Sequence, residues 1–250
     1  MNLRYITASD ARSNLLPRDV LEFLTMSRKI ELGIQAHDTA MSFGFERWQW
    51  FNTLAHAAQH ANVPLNLALH INYSWCDMFC DGSVPQEILE FMSLRNVYNH
   101  KPVVGRIQLN IGDGTKPVNP YKLQATMEHF PGVEFILPYN LRTLHTVNKL
   151  MYNGARFSVL YDASYGAGVL PKQWDAPVCT WVPTGYAGGL TPENVATQLD
   201  KINAVVPNGY ETWIDAEGGL RDNTTTGVFT LARAREYVQN ALKWETQHQK

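Results

Sequence analysis

The sequence predicts a (β/α)8 barrel, and two observations carry this prediction. Eight short segments rich in apolar and β-branched residues alternate with longer amphipathic segments, and successive short segments begin 21 to 38 residues apart. Most of these intervals leave room for the crossover helix that joins parallel strands. The chain has 250 residues, a length that α/β barrels commonly reach as one domain, so we expect residues 1–250 to form a single barrel domain.

The predicted strands and helices follow from hydrophobic periodicity and from start and stop signals. The strands are expected at residues 3–7, 30–35, 65–72, 103–110, 133–138, 157–162, 178–183 and 211–215. The helices are expected at 18–28, 45–59, 85–93, 140–151, 191–205 and 230–244. Thr191 and Pro192 give the clearest helix start, and Gly154 and Gly209 stand where helices should end. An open doubly wound sheet is the alternative, but residues 8–12 lack the glycines that its first turn usually carries.

The composition excludes several classes of protein. The formal net charge is −2 and charged residues make up 18%, which argues against a chain built around a face that binds nucleic acid. No stretch approaches the roughly 18 uninterrupted apolar residues of a membrane span, and the first residues contain no signal-peptide core. Three cysteines are too few for a disulfide framework. We therefore expect a cytoplasmic protein without a nucleic-acid or membrane partner.

Polar side chains accumulate at the carboxyl ends of the predicted strands, where barrel enzymes build their sites. Strand periodicity places Arg106, Gln108 and Asn110 on one face of the fourth strand. Taken singly, such residues have structural explanations, such as a satisfied interior histidine or an aspartate that caps a loop. Taken together they favour a ligand site, because burying unpaired polar groups is unfavourable. The candidates at strand ends are His37, His70, Gln108, Asn110, Asp162, Asp215 and Glu217.

Two glycine pairs follow the last two strands. Gly188 and Gly189 precede the helix start at Thr191, and Gly218 and Gly219 follow the eighth strand. The loops after strands seven and eight are the usual phosphate position in these barrels. Glycine allows backbone N–H groups to approach an anion closely, although tight turns would also explain the pairs. We expect these four glycines to bind a phosphate group.

The segment from Gly188 to Val195, Gly-Gly-Leu-Thr-Pro-Glu-Asn-Val, resembles the strand-seven motif of phosphoribosylanthranilate isomerases. The match extends to four further segments across roughly residues 104–240. They are Gln108-Leu109-Asn110, Leu160-Tyr161-Asp162 with Gly166, Gly168 and Trp174 downstream, Ile214-Asp215-Ala216-Glu217-Gly218-Gly219, and Gly227-Val228. The resemblance implies a barrel fold and a cofactor-independent Amadori rearrangement of a phosphoribosylated amine.

The resemblance also implies roles for individual residues. Asp162 takes the place of the family's general acid. The family's catalytic cysteine on strand one is absent, and Thr7 stands at its position. A threonine hydroxyl is too weakly acidic to replace it, so the base is another group, with His37, Asp10 and Cys76 as candidates. Glu217 replaces a small hydroxyl residue, and a carboxylate there would repel phosphate unless it is protonated or turned away.

We therefore expect isomerase-like acid/base chemistry on a phosphorylated, sugar-derived small molecule, with an altered base or substrate. Two alternatives stay open: an inactive barrel that binds a ligand or partner, and a lyase or aldolase. The second alternative usually needs a metal or a Schiff-base lysine, and no lysine falls at a predicted strand end. His70, Cys76 and Cys80 match no standard zinc spacing, so we expect neither a metal nor a cofactor. A homodimer remains open, since Trp48, Trp50 and Phe51 could pack on a neighbouring subunit.

Overall fold

The computed structural model describes residues 1–112, 116–162, 166–222 and 227–248. Its strands form one closed barrel in sequence order, with every neighbouring pair parallel and the eighth strand paired to the first. The predicted (β/α)8 barrel is confirmed. The strands are β1 Asn2–Ser9, β2 Ile30–Ala36, β3 Asn66–Ile71, β4 Val104–Leu109, β5 Glu134–Pro138, β6 Ser158–Asp162, β7 Thr184–Ala187 and β8 Glu211–Ala216.

Helices cover the outside of most of the barrel. Within the described residues they are α1 Pro17–Thr25, α2 Asp38–Met41, α3 Glu46–Gln59, α4 Tyr73–Cys80, α5 Gln86–Ser93, α6 Pro120–Glu128, α7 Leu144–Tyr152, α8 Val195–Val205 and α9 Leu231–His248. All six predicted helices are present, although α8 begins four residues later than expected. The turn before it is closed by Asn194, whose amide oxygen accepts the Thr191 N–H at 2.9 Å. No helix in the described part of the chain is long and apolar enough to cross a membrane.

The seventh strand was wrongly predicted. It occupies Thr184–Ala187, directly after the apolar run 178–183 that looked more like a strand. Strand β7 has only one β-branched residue and contains Gly185, so its local β propensity is low. Tertiary packing selects it: Gly185 lies opposite Trp213 of β8 in the register. The correction places Gly188 and Gly189 immediately at the end of β7.

The connection from β6 to β7 contains no helix in its described part, residues 166–183. Aromatic side chains cover the outside of the barrel there instead. Tyr186 is fully buried between Tyr161, stacked at 6.2 Å, and Trp174, edge-on at 5.6 Å. Trp174 donates to the Gln198 side chain of α8 at 3.0 Å, and Tyr161 donates to Asp175 at 2.6 Å. These hydrogen bonds fix the aromatic cover to the neighbouring helix and loop.

The main apolar core lies between the strands and the helices, and the barrel interior is unusually polar. Outside the sheet, Phe23, Phe51 and Phe79 are fully buried. Trp50 is also buried and donates to the Leu15 carbonyl at 2.7 Å. Trp50 and Phe51 of α3 therefore pack within this chain. Inside the barrel, a small apolar cluster around Trp213 is surrounded by charged and hydroxyl side chains.

Arg106 is the central charge of the barrel interior. Its Nη1 donates to both carboxylate oxygens of Glu31 at 2.9 Å, and its Nη2 lies 3.6 Å from Glu134. The guanidinium lies over Trp213 at 4.2 Å and over Tyr5 at 4.8 Å from the ring centroids. Burial raises the pKa of Glu31, and Arg106 opposes that shift. The Arg106–Glu31 pair lies in the barrel interior beneath the polar end of the barrel.

Gly185 provides a test of this interior packing. A methyl group at position 185 would overlap the Trp213 ring, so Gly185→Ala is expected to destabilise the fold by about 1–3 kcal/mol through overpacking. Gly105→Ala in β4 is the matched control, since nothing lies within 4 Å of its added methyl. Urea unfolding of both variants makes the measurement. Equal stability of the two variants would contradict this packing.

Candidate functional site

A cavity of about 630 Å³ opens at the carboxyl ends of the strands. Twelve residues that the sequence analysis assigned to the site line this one cavity, and the candidate base Cys76 does not. They are Asp10, His37, His70, Gln108, Asn110, Asp162, Gly188, Gly189, Asp215, Glu217, Gly218 and Gly219. The structure thus brings these residues together, while their individual roles stay predictions.

Four arginines also line the cavity, and the sequence analysis missed them. They are Arg12, Arg47, Arg142 and Arg221. Each lies outside the strands, so strand periodicity gave no signal for them. The spacing of Arg221 four residues after Glu217 was a usable hint, since the two side chains form an ion pair at 2.8 Å. The four arginines thus balance the four carboxylates that line the same cavity, which are Asp10, Asp162, Asp215 and Glu217.

Asp10 joins two of these arginines. Its Oδ1 accepts from Arg12 Nε at 3.0 Å, and its Oδ2 accepts from Arg12 and Arg221 Nη2 atoms at 2.7 Å each. The Asp10 backbone has a φ of +75°, a left-handed conformation that is uncommon outside glycine. This strained turn at the end of β1 aims the carboxylate at both guanidinium groups. Asp10 is therefore a buried hub that orders the arginines beside the cavity.

Arg47 differs from these two arginines in its surroundings. Its Nη1 donates to the Gln35 main-chain carbonyl at 3.2 Å. Burial lowers the pKa of Arg47, an effect that Asp10 partly offsets. It remains a cation at neutral pH, and its positive charge adds to burial in lowering the pKa of His37. His37 is thus favoured as a neutral imidazole, and its Nδ1 lies 2.9 Å from the Thr39 hydroxyl.

Asp215 is a buried carboxylate at the end of β8. It accepts a hydrogen bond from the Ser9 hydroxyl at 2.6 Å. Burial raises its pKa to about 6, the Ser9 bond and Arg106 oppose the rise, and Asp162 adds to it. The negative charge of Asp162 at the end of β6 therefore acts on the pKa of Asp215 at the end of β8. Such a pair can divide acid and base roles between two carboxyl groups.

Glu217 lies at the mouth of the cavity with 44% of its side chain exposed. Burial in the cavity wall raises its pKa to about 7, and Asp10 and Asp215 add to the rise. Its Oε1 accepts from Arg221 at 2.8 Å and its Oε2 accepts from Gln35 at 2.9 Å. The carboxylate is held toward β2 and Arg221, so it has partners other than an anion at the glycine turns.

Three other groups named in the sequence analysis are buried. They are His70, Thr7 and Cys76. Burial lowers the pKa of His70 to about 4, so this fully enclosed imidazole is neutral at pH 7. Thr7 is buried below the cavity lining, and its hydroxyl donates to Glu31 at 3.2 Å. Cys76 is buried on α4, and a hydrogen bond with Cys80 together with burial raises its thiol pKa. Neither Thr7 nor Cys76 lines the cavity, which leaves Asp10 and His37 as the candidate bases.

Asp162 ends β6, and its Oδ2 accepts the Gly166 N–H at 2.7 Å. This bond ties the carboxylate to the glycine-containing loop that follows β6 and also lines the cavity. The intervening residues 163–165 of the Asp-containing motif lie outside the described part of the chain. Asp162 thus lies where a proton donor could reach a ligand in the barrel mouth.

The two glycine turns pack against their surroundings through their backbones. Gly189 has a φ of +67°, and a side chain there would lie 2.5 Å from the Leu170 backbone nitrogen. A side chain on Gly219 would overlap the Leu190 carbonyl. Glycine is therefore required at both positions. Both turns line the cavity, so their backbone N–H groups are the candidates for binding a ligand anion.

Metal and Schiff-base chemistry have few candidates in the described residues. No group of three or more His, Cys, Asp or Glu side chains there could hold a metal ion. The described lining of the cavity includes no lysine. The ionisable groups in the described lining are carboxylates, imidazoles, guanidinium groups and the phenol of Tyr73.

The raised pKa of Asp215 predicts a dependence of stability on pH. Between about pH 4 and pH 6 the folded state holds a proton on Asp215 that the unfolded state releases, so the free energy of unfolding falls as pH rises. A pKa rise of this size corresponds to a change of about 3 kcal/mol in the free energy of unfolding. Asp215→Asn should therefore be more stable than wild type at pH 8 by up to about 3 kcal/mol.

This difference should shrink toward zero as the pH falls to about 4, and urea unfolding across the range measures it. The exposed Asp19→Asn variant on α1 is the control, for which little change is expected at any pH. An Asp215→Asn effect of the same size at pH 4 and pH 8 would rule out titration of Asp215 as its cause.

The fold agrees with that of two solved isomerase structures. The chain superposes on phosphoribosylanthranilate isomerase from Thermotoga maritima with a TM-score of 0.55 and 12% identity, covering 97% of this chain and 99% of that one. N-(5'-phosphoribosyl)anthranilate isomerase from Pyrococcus furiosus gives a TM-score of 0.53 and 14% identity, covering 96% and 98%. The shared feature is the fold. No family model and no curated protein matches the sequence.

Proposed function

We propose that this protein binds a phosphorylated, sugar-derived small molecule and performs isomerase-like acid/base chemistry on it. One observation carries the proposal: a single cavity holds the carboxylates of Asp162 and Asp215 together with two glycine turns that offer backbone N–H groups. Isomerisation of this type needs one group to remove a proton from carbon and another to deliver a proton. The likeness to the two isomerases lends support at the level of the fold.

Within this proposal, Asp162 delivers the proton and His37 removes one. His37 suits the role of base because burial and Arg47 favour its neutral form, in which a ring nitrogen can accept a proton. Asp10 suits it less, because guanidinium N–H groups already occupy both of its oxygens. Asp215, His70, Gln108, Asn110 and Glu217 contact the substrate in this proposal.

The phosphate group is proposed to bind between the turns at Gly188-Gly189 and Gly218-Gly219. Gly219 packs directly against the Leu190 carbonyl, so the two turns adjoin. Backbone N–H groups in such turns favour an anion. The arginines at the mouth of the cavity would draw a phosphorylated ligand toward them.

Two further proposals concern where the protein is located and how it assembles. We place it in the cytoplasm as one barrel domain, since Cys76, Cys80 and Cys179 are all free thiols. A homodimer is proposed from the enzyme of Thermotoga maritima, which is described as dimeric. Analytical ultracentrifugation tests this directly, and a monomer at all concentrations would end it.

Mass spectrometry of metabolites retained from a cell extract tests the proposed function. The purified protein is incubated with the extract, washed and denatured, and the released compounds are compared with those from a Gly189→Leu variant, whose turn the added side chain would distort. The proposal expects enrichment of a phosphorylated compound by the wild type and its conversion to an isomer of equal mass. Binding without conversion would favour a ligand-binding protein, and retention of only unphosphorylated compounds would refute the proposal.

A further inference from the structure

Four side-chain amides line one wall of the cavity and run head to tail. The Gln35 amide N–H donates to Glu217 at 2.9 Å, and Asn72 donates to the Gln35 amide oxygen at 2.7 Å. Asn110 donates to the Asn72 oxygen at 2.8 Å, and Gln108 donates to the Asn110 oxygen at 2.8 Å. We call Gln35, Asn72, Asn110 and Gln108 the amide chain. It links the carboxyl ends of β2, β3 and β4 to Glu217 after β8.

The direction of the amide chain is fixed by chemistry at two points. Asn72 Nδ2 also donates to the His70 main-chain carbonyl at 2.8 Å, and a carbonyl oxygen can only accept. The second point is Glu217. Its Oε1 accepts from Arg221 and its Oε2 accepts from Gln35, so the ionised carboxylate accepts a hydrogen bond at each oxygen. Reversing one amide would place two oxygens or two N–H groups opposite each other. All four amides therefore point their N–H groups toward Glu217.

This direction leaves the amide oxygen of Gln108 at the far end of the chain. Gln108 is 7% exposed and lines the cavity. No donor among the described residues is bonded to its Oε1. This oxygen is open to the cavity, so a ligand that supplies a donor can take the place of solvent at this point. The aligned dipoles of the chain increase the negative character of this oxygen.

We propose that the amide chain makes Gln108 Oε1 a fixed hydrogen-bond acceptor for a hydroxyl group of the ligand. Gln108 is then a ligand-contacting residue, and Gln35 and Asn72 are positioning residues. They hold its orientation together with Asn110 and Glu217, which also contact the substrate in the proposed function. The choice of a hydroxyl rests on the proposed function, since a sugar-derived ligand carries hydroxyl groups. The site over β4 discriminates against ligands that present an acceptor or a carboxylate at that point.

Neutron diffraction from deuterated crystals of the wild-type protein tests the direction of the chain without any ligand. In crystals kept well above the Glu217 pKa of about 7, the expected result is two deuterons on each amide nitrogen, directed along the chain toward Glu217, and none on the Glu217 oxygen that faces Gln35. Nuclear density showing any one of the four amides reversed would overturn the proposal, whatever the protein binds.

Calorimetric titration tests the acceptor role of Gln108, with ribose 5-phosphate and inorganic phosphate as probes. Gln108→Met keeps the size of the side chain and removes the acceptor, so it should weaken ribose 5-phosphate about 3- to 10-fold while inorganic phosphate binds as before. Gln124→Met on the exposed face of α6 is the matched control and should change neither affinity.

The outcomes separate the two proposals. Unchanged binding of ribose 5-phosphate to Gln108→Met would overturn the acceptor role while the proposed function stands. If neither probe binds the wild type, the sugar-phosphate function and the hydroxyl assignment both fail, and the neutron result still decides whether the chain has the stated direction. Equal weakening of both probes would show that Gln108 supports the whole cavity, which also overturns the specific role.

Discussion

Replacing Asp162 by asparagine is expected to reduce turnover of the retained substrate by about 10²- to 10⁴-fold, the usual loss when positioned proton transfer is removed. The substitution keeps the shape of the side chain, and an amide oxygen can still accept the Gly166 N–H that now bonds Oδ2 at 2.7 Å. Folding should therefore survive while proton delivery does not. Single-turnover kinetics on the wild type and the variant provide the measurement.

Asp215→Asn is the informative comparison for this prediction, because burial raises the pKa of Asp215 to about 6 and makes it the competing proton donor. The account expects Asp162→Asn to lose more activity than Asp215→Asn. A near-normal rate for Asp162→Asn with a large loss for Asp215→Asn would transfer the acid role to β8. Circular dichroism of both variants separates lost chemistry from lost structure.

Replacing Arg106 by methionine is expected to destabilise the fold by about 3–5 kcal/mol. Arg106 Nη1 donates to both oxygens of Glu31 at 2.9 Å, and both side chains are at least 97% buried. Removing the guanidinium leaves the Glu31 carboxylate buried without its cation, and also removes the contacts with Trp213 and Tyr5. Urea unfolding at pH 7 measures the loss.

Two further variants isolate the ion pair. Arg235→Met breaks an exposed pair with Glu22 and should cost at most about 1 kcal/mol. The double variant Glu31→Leu with Arg106→Met removes both buried charges, so it should be more stable than Arg106→Met alone. Equal stability of the single and double variants would show that the unpaired Glu31 is not the source of the loss.

Periodicity made much of this architecture predictable. His70 was expected at the end of the third strand, and the structure buries it on β3, where it alternates with apolar residues. The period of two put Arg106 and Gln108 on one face of the fourth strand, and the structure buries both on β4. Since the carboxyl ends of parallel strands in a closed barrel meet at one end, the strand-end residues were expected together, and they line one cavity.

Features decided by tertiary contacts were less accessible. Strand β7 was placed at 178–183 because that run has the stronger local β propensity, whereas the space required by Trp213 selects the glycine-containing segment Thr184–Ala187. Helices α2, α4 and α6 were missed. The cavity arginines were missed because Arg12, Arg142 and Arg221 lie in loops, which have no period, and Arg47 lies in the first turn of α3, where it does not follow a strand. Only the fold brings Arg12 and Arg221 to Asp10. The amide chain likewise depends on registers between strands that no local pattern reveals.

The central claim is that the cavity at the carboxyl ends of the strands receives a phosphorylated ligand at its glycine turns. The most direct measurement is a crystal structure of the wild-type protein grown with ribose 5-phosphate. The account predicts phosphate density within hydrogen-bond distance of backbone N–H groups at Gly188-Gly189 and Gly218-Gly219, with the sugar extending toward Asp162 and Gln108. Clear ligand density elsewhere, with both glycine turns empty, would contradict it.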